Sequence, residues 1–426
     1  MWWNALLMTT VLASQRPSRD MGFAEFVVLM AALMALGALG IDSMLPNLPA
    51  IGRSLAVADE NRRQLIITTY LLGLGGFQLI YGPLSDRFGR RLVLLAGLCL
   101  YIAFSLLAAL SPNFNVLLAA RVLQGAGAAA TRSIPLSIIR DRFEGRAMAR
   151  VMSLTSMVFM AAPVAAPSLG QLVLVLSSWP WLFGMLAALA ASTMMWAVLR
   201  LPETLHSQDR LPIQSRRIAG SFATAMRNRT ALAYTVAQTL LFGGLLGFIN
   251  SAQQVVAEAL GAGDRFAMVF AICASFIAVA SLVNARLVMR LGMRRLSHAA
   301  LLAFIASAAV HLSIARSGHE TLAVFVAFQA LNMFCFGLTA GNFLAMAMEP
   351  MGHLAGVASA FQGFVSMVGA TLIGFAVGQR FNGTVAPVEA GYLICGLLAL
   401  AAVLVAERGR LFRPHEAGGA HSVVLH

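Results

Sequence analysis

Long apolar runs separated by short polar breaks make up most of the chain, and within the runs apolar residues do not alternate with polar ones. About 18 or more apolar residues can cross a hydrocarbon core as a helix, whereas a membrane barrel uses strands of about 10 alternating residues. The pattern predicts twelve membrane helices, near residues 22–41, 64–82, 92–110, 115–138, 148–176, 181–199, 230–250, 267–285, 297–315, 321–348, 354–378 and 389–406. The expected fold class is all-α, polytopic and membrane-spanning. Nearly all other residues fall in short loops, which leaves no separate soluble domain to carry an enzyme.

Composition agrees with the pattern: of 426 residues 59% are apolar and 11% charged, and the mean hydropathy is +0.80. The formal charge of +13 does not point to nucleic acid, because the basic residues are spread along the chain and all 30 are Arg. With the N-terminus placed in the cytoplasm, 22 of the 30 fall in inner segments, which predicts cytoplasmic termini. Cys99, Cys273, Cys335 and Cys395 lie in predicted spans without CxxC spacing and read as packing residues. The eight His are scattered; only His311 is clearly inside a span, with a bland packing role expected, so neither a metal nor a cofactor is expected. The first residues, with Trp2 and Trp3, read as an interfacial or disordered lead-in.

Between the sixth and seventh spans, residues 200–229 form the longest polar stretch before the tail. The expected division is a first half, 1–199, a cytoplasmic central loop, 200–229, and a second half with tail, 230–426. Duplication is supported by setting Gly89 on Gly292, so that Leu84 meets Leu287, Arg87 meets Arg290 and Arg91 meets Arg294, while Asp86 meets Met289. In "YGPLSDRFGRR", Gly82 and Gly89 permit a tight reversal and Arg90 and Arg91 hold the loop inside. Asp86 is expected to accept hydrogen bonds or pair with an Arg, clamping the two bundles together.

Ionisable groups at membrane depth cost about 2.5–3.5 kcal/mol on insertion scales, so they face a cavity or a partner. Asp42 ends the first span, as an interfacial cap or as a carboxylate at a wet cavity where proton uptake senses a nearby Arg. Arg121 opens the fourth span with Gln124 on its face; Arg132 follows three turns later, and Pro135 is expected to interrupt the helix. Glu25 reads as solvated. Gln238, Asn250, Gln253, Gln254, Gln329, Asn332, Asn342 and Gln362 offer uncharged polar groups to a cavity in the second half.

"GPLSDRFGRR" and "RVLQGAGAAA" resemble signatures of the major facilitator superfamily. With "IDSMLPNLP", "IIRDRF", "APVAAPSLGQ" and "LPETL" they resemble its Bcr/CflA-type multidrug/proton antiporters. That resemblance implies two six-helix bundles, alternating access in the bacterial inner membrane, and export of amphipathic drugs against proton entry. By likeness Asp42 would carry the proton or meet a cationic drug, and Arg121 would couple to it. Gly82, Asp86, Arg87, Gly89, Arg90 and Arg91 would form the inner gate. Pro163, Pro167 and Gly170 resemble the fifth-helix antiporter motif, although Ala162 and Ala166 stand where Gly is often found. The partners expected are a small-molecule substrate, protons and the lipid bilayer, with no nucleic acid, and a monomer is expected. The alternatives are a facilitator-fold carrier for a sugar or amino acid and a sensor or scaffold that transports nothing.

Overall fold

The computed structural model describes residues 21–210 and 226–412. The lead-in with Trp2 and Trp3, the middle of the central loop and the end of the tail lie outside the described residues.

Twelve long helices occur at the predicted places: α1 (Phe23–Asp42), α2 (Leu65–Phe88), α3 (Arg90–Ala109), α4 (Phe114–Arg142), α5 (Gly145–Leu176) and α6 (Pro180–Arg200), then α7 (Arg229–Gln254), α8 (Phe266–Leu291), α9 (Met293–Ser317), α10 (Leu322–Met348), α11 (Ala355–Gly378) and α12 (Ala386–Ala406). Among the described residues, eleven helical spans are long and apolar enough to cross a membrane. The exception is α4, which carries Arg121, Gln124 and Arg132. Local chemistry fixes several starts. The side chains of Asn113, Asn228 and Thr321 accept hydrogen bonds from the amides of Val116, Ala231 and Val324, which open α4, α7 and α10. Leu92, Leu110, Val175 and Leu199 stand exposed, as lipid-facing side chains do.

Two six-helix bundles repeat one packing plan. In the first, α1 packs on α4, α5 and α6, α2 on α4, and α3 on α4 and α6; in the second, α7 packs on α10, α11 and α12, α8 on α10, and α9 on α10 and α12. The bundles meet through α2 against α11 and α5 against α8, contacts that exchange under the same repeat. The Gly89 to Gly292 alignment has a geometric counterpart, since each precedes the third helix of its half with positive φ, +102° and +79°.

Three local expectations need correction. Gly82 makes no reversal: it lies inside α2, and a Cβ there would meet nothing within 4 Å, so Gly89 alone makes the turn. Pro135 does not interrupt α4, which runs on to Arg142. Glu25 is not simply solvated. Arg200 grips both its carboxylate oxygens at 2.7 Å and the Trp196 indole donates at 3.1 Å, tying the start of α1 to the end of α6.

Candidate functional site: an arginine-centred cluster and two gates

The faces are named by the orientation that the arginines predict, with the start of α1 inner and its end outer. Small residues let α2, α3 and α4 touch backbone to backbone: a Cβ on Gly125 would lie 2.0 Å from the Tyr70 carbonyl oxygen, one on Gly73 2.0 Å from that of Val122, and one on Gly127 2.5 Å from the Tyr101 nitrogen. This approach seats Arg121, fully buried, between α1 and α2. Its Nε donates to the Ile66 carbonyl at 3.0 Å, one terminal nitrogen to the Gly40 carbonyl at 2.9 Å and the other to Gln124 Oε1 at 2.6 Å. Gln124 Nε2 donates onward to Ser105 at 2.7 Å, and the guanidinium lies 4.2 Å from the centre of the Tyr70 ring.

The bond to Gly40 acts on the end of a helix. The Met44 amide, which would have reached Gly40 in a longer α1, donates to Ile41 instead, so the Gly40 carbonyl is free for Arg121. A cation there complements the partial negative charge of the helix C-terminus. Asp42 is the last residue of the same helix and is 5% exposed. Among the described residues it has neither hydrogen bond nor ion pair, yet its oxygens are not among the sealed unpaired atoms, so they touch open space. The two side chains are therefore not paired. They meet through the end of α1, which Arg121 caps and which repels an ionised Asp42.

The fifth helix closes the same corner. A Cβ on Gly170 would lie 2.0 Å from the carbonyl oxygen of Ser43, the residue after Asp42, and the Asn47 amide donates to the Gly170 carbonyl at 3.0 Å. Pro163 and Pro167 lie within a continuous α5. Arg132 is half-buried on α4 and has no ion pair among the described residues.

On the inner face, Arg90 pairs with Asp86 and, at 3.0 Å, with Asp141 at the end of α4. Glu203 accepts from the amides of Arg90 and Arg91 at 2.9 and 3.2 Å, capping α3. Arg91 donates to the Val198 carbonyl, and Arg87 is exposed beside Phe88. Contrary to the expected clamp between bundles, the described partners of Asp86 and Arg90 lie in the first half or, for Glu203, just after its last helix, and none lies in the second half, because Arg90 faces the ends of its own bundle's helices. Asp141 and Glu203 were visible in "IIRDRF" and "LPETL" only as marks of resemblance. The second half builds a counterpart around Arg294, which binds Glu407 at 2.8 Å and Glu349 at 3.1 Å, at helix ends matching those of Glu203 and Asp141. Met289, facing Asp86 in the alignment, is 86% exposed.

On the outer face the halves are bolted by amides. Gln64 donates to Gln254 at 2.7 Å and to the Gly378 carbonyl at 3.0 Å; Gln254 donates to Asn61 at 2.8 Å. Asn61 reaches the Phe381 carbonyl at 3.0 Å, and Gln379 returns a bond to the Asn61 carbonyl at 2.8 Å. Arg63 adds a looser contact with Glu258 at 3.6 Å. Among the described residues, every hydrogen bond between the halves belongs to this outer set. Sequence reading singled out Gln254 alone of these amides, since uncharged side chains near a loop carry no distinctive spacing.

Among the described residues no group of three or more His, Cys, Asp or Glu has metal-binding geometry. Residues 27–374 match the family model of the Major Facilitator Superfamily. Over 353 residues the chain is 31% identical to the uncharacterized MFS-type transporter YdgK of Bacillus subtilis (strain 168), an overlap covering 82% of this chain and 87% of that one. It is 27% identical over 403 residues to multidrug resistance protein MdtL of Shigella dysenteriae serotype 1 (strain Sd197), covering 92% and 98%. In fold it is similar to the human organic anion transporter MFSD10 (TM-score 0.67, 18% identity, covering 92% of this chain and 100% of that one). It is also similar to a POT family transporter solved with 5-aminolevulinic acid (TM-score 0.73, 12% identity, 91% and 97%). With twelve long helices among its described residues, in two repeated bundles, and a match across most of its length, the chain belongs to the Major Facilitator Superfamily.

Proposed function

We propose that this transporter exports small amphipathic compounds across the bacterial inner membrane in exchange for protons, by alternating access. Residues 1–199 and 230–426 act as the two moving units, joined by a cytoplasmic segment, 200–229; the protein works as a monomer with both termini inside. The observation that carries the reading is Asp42, a buried carboxylate without an ion pair among the described residues, at the end of a helix capped by Arg121. Binding a proton neutralises Asp42; releasing it leaves a charge that the helix end repels, which shifts the balance between arrangements of that corner. Arg132, half-buried without an ion pair, supplies the polar counterpart further down α4. The multidrug resistance name carried by the MdtL relative supports the choice of cargo.

The test is efflux of a lipophilic cationic dye, ethidium, from proteoliposomes under an imposed pH gradient. Wild type should respond to the gradient, and Asp42→Asn should fall to the rate of protein-free vesicles. A wild-type flux indifferent to the gradient would falsify the coupling.

A second reading, a carrier for a polar metabolite, is favoured by the sealed and unpartnered amides of Asn332 and Gln362. Competition separates the two: chemically unrelated drugs should displace one another under the export reading, whereas only close analogues should compete under the carrier reading.

A further inference from the structure

The second half holds three ionisable side chains that the coupling scheme leaves unused. His311, near the outer end of α9, is fully buried, and its Nε2 lies 3.0 Å from an oxygen of Glu320 in the loop that follows. Its Nδ1 lies 3.1 Å from Oε1 of Glu389, fully buried in the first turn of α12; the separation suits an ion pair, but the angle is off the hydrogen-bond line. Both Glu389 oxygens and Oε2 of Glu320 are sealed from solvent without a hydrogen-bond donor. Phe328 stacks on the imidazole at 4.8 Å between ring centres, and Phe325 closes the side toward α7 through Phe248.

Among the described residues, no cation pairs with the two carboxylates except the imidazole. The Tyr392 hydroxyl, which accepts from Gln329 at 2.8 Å, is the other titratable group near Glu389, and the thiols of Cys273 on α8 and Cys395 on α12 lie near that hydroxyl. The outer stretch of α7 and the part of α10 against the cluster carry no ionisable side chain. Arg316 and His319, nearby in sequence, have no ion pair with the cluster. With both carboxylates ionised the set carries a net negative charge even when the imidazole is protonated. Only a further proton on a carboxylate makes it neutral, and a buried set of uncompensated charge is unfavourable.

We propose that Glu320, His311 and Glu389 form a second proton-binding site, loaded from the outer face and separate from Asp42. Glu320 is the rim group, its side chain still 12% exposed, and Glu389 is the sealed terminus. An outer water supplies a proton to Glu320. Starting from the neutral imidazole with its proton on Nδ1, Glu320 passes the proton to Nε2 of His311 as Nδ1 gives its own to Glu389. Glu320 is ionised again, the imidazole is neutral in its other tautomer and Glu389 is uncharged, so one negative charge remains until a second proton held on Glu320 makes the set neutral. The site thereby switches the electrostatic tie between α9 and α12 according to outer pH. The proposal goes beyond the export reading and is read without cargo.

The experiment is infrared difference spectroscopy of the full-length protein in lipid, between about pH 8 and about pH 5, the range in which imidazole clusters exchange protons. Wild type should gain a protonated-carboxyl absorption on acidification that Glu389→Gln loses and Asp42→Asn keeps. Proton uptake over the same interval should fall by about one per chain in Glu389→Gln. Glu320→Gln, at the rim, gives the same readout with little effect on packing, as a delayed or lost response to outer pH. Unchanged absorption and uptake in both glutamate variants would mean a fixed structural clamp and overturn the proposal. Failure of Asp42→Asn to alter efflux would instead count only against the coupling at α1.

Discussion

At the scale of single residues, Arg121 decides how the first bundle is joined. Its three donors go to the carbonyls of α1 and α2 and to Gln124, so the guanidinium acts as a bridge among three helices. Truncation in Arg121→Ala strips a donor from the Gly40 and Ile66 carbonyls and from the Gln124 amide oxygen, and each buried acceptor left bare costs about 1–3 kcal/mol. Thermal unfolding of the purified variant should shift well below wild type. Arg121→Lys should recover only part of the loss, because an ammonium on a flexible stem does not reproduce the fork. Full recovery by lysine would mean that charge alone matters there. The sequence made Arg121 and Gln124 legible because charge inside an apolar run stands out and a spacing of three places the two on one face. That the Arg would cap α1 rather than pair with Asp42 was not legible, since it depends on a glycine-mediated approach of α2 and α4 at Gly73 and Gly125. The carboxylate partners of His311 were not legible for a related reason: they are nine and seventy-eight residues away, in a loop and on another helix.

Among the elements, apolar run length alone placed the twelve helices, because a membrane helix satisfies its own backbone and needs little from its neighbours. What run length cannot show is where two helices touch. Gly170 and Gly82 look equally at home in glycine-bearing motifs, yet a Cβ on the first would press 2.0 Å against the Ser43 carbonyl, while one on the second would meet nothing. Backbone cannot yield as a side chain can, so Gly170→Ala should force α5 from α1 and destabilise by about 1–3 kcal/mol. Gly82→Ala should be neutral or stabilising by up to about 1 kcal/mol, from helix propensity. The pair of melting temperatures checks both at once, and equal shifts would refute the contact. The inner ends of the second bundle add a dependence on pH. Burial pushes the Glu407 carboxyl up, but hydrogen bonds from Tyr234 and Arg294 prevail and hold it below the ordinary carboxylate range. A group lowered in the folded state stabilises above its unfolded value of about 4.3 and loses that contribution as pH falls through its folded value. Glu407→Gln should therefore lower stability at neutral pH and flatten its decline toward acid, as read from melting temperatures across pH.

For the molecule as a whole, the question is what holds one face shut while the bundles exchange access. All described hydrogen bonds between the halves lie at the outer end, and most run between amides that do not titrate over the working range of a cell. Closure is thus set by packing and by competition with water, leaving proton sensitivity to groups elsewhere. Gln64 is the centre of the bolt, and Gly378 leaves room for it: a Cβ on Gly378 would lie 2.3 Å from Gln64 Oε1. Gln64→Ala removes two donated bonds, each worth about 1 kcal/mol net, which favours the outward-open arrangement by roughly tenfold or more. Gly378→Ala reaches the same end by crowding. Asn250, 1% exposed and packed by the same glycine, serves as the reporter when changed to cysteine in a background lacking Cys99, Cys273, Cys335 and Cys395. A membrane-impermeant maleimide added from outside should then label Asn250→Cys about tenfold faster with Gln64→Ala than without it. Because the hydrogen bonds of the bolt are made by amides and only the looser Arg63–Glu258 contact titrates, that ratio should be similar at about pH 5 and about pH 8. Equal labelling with and without Gln64 would show that the amides follow closure rather than hold it.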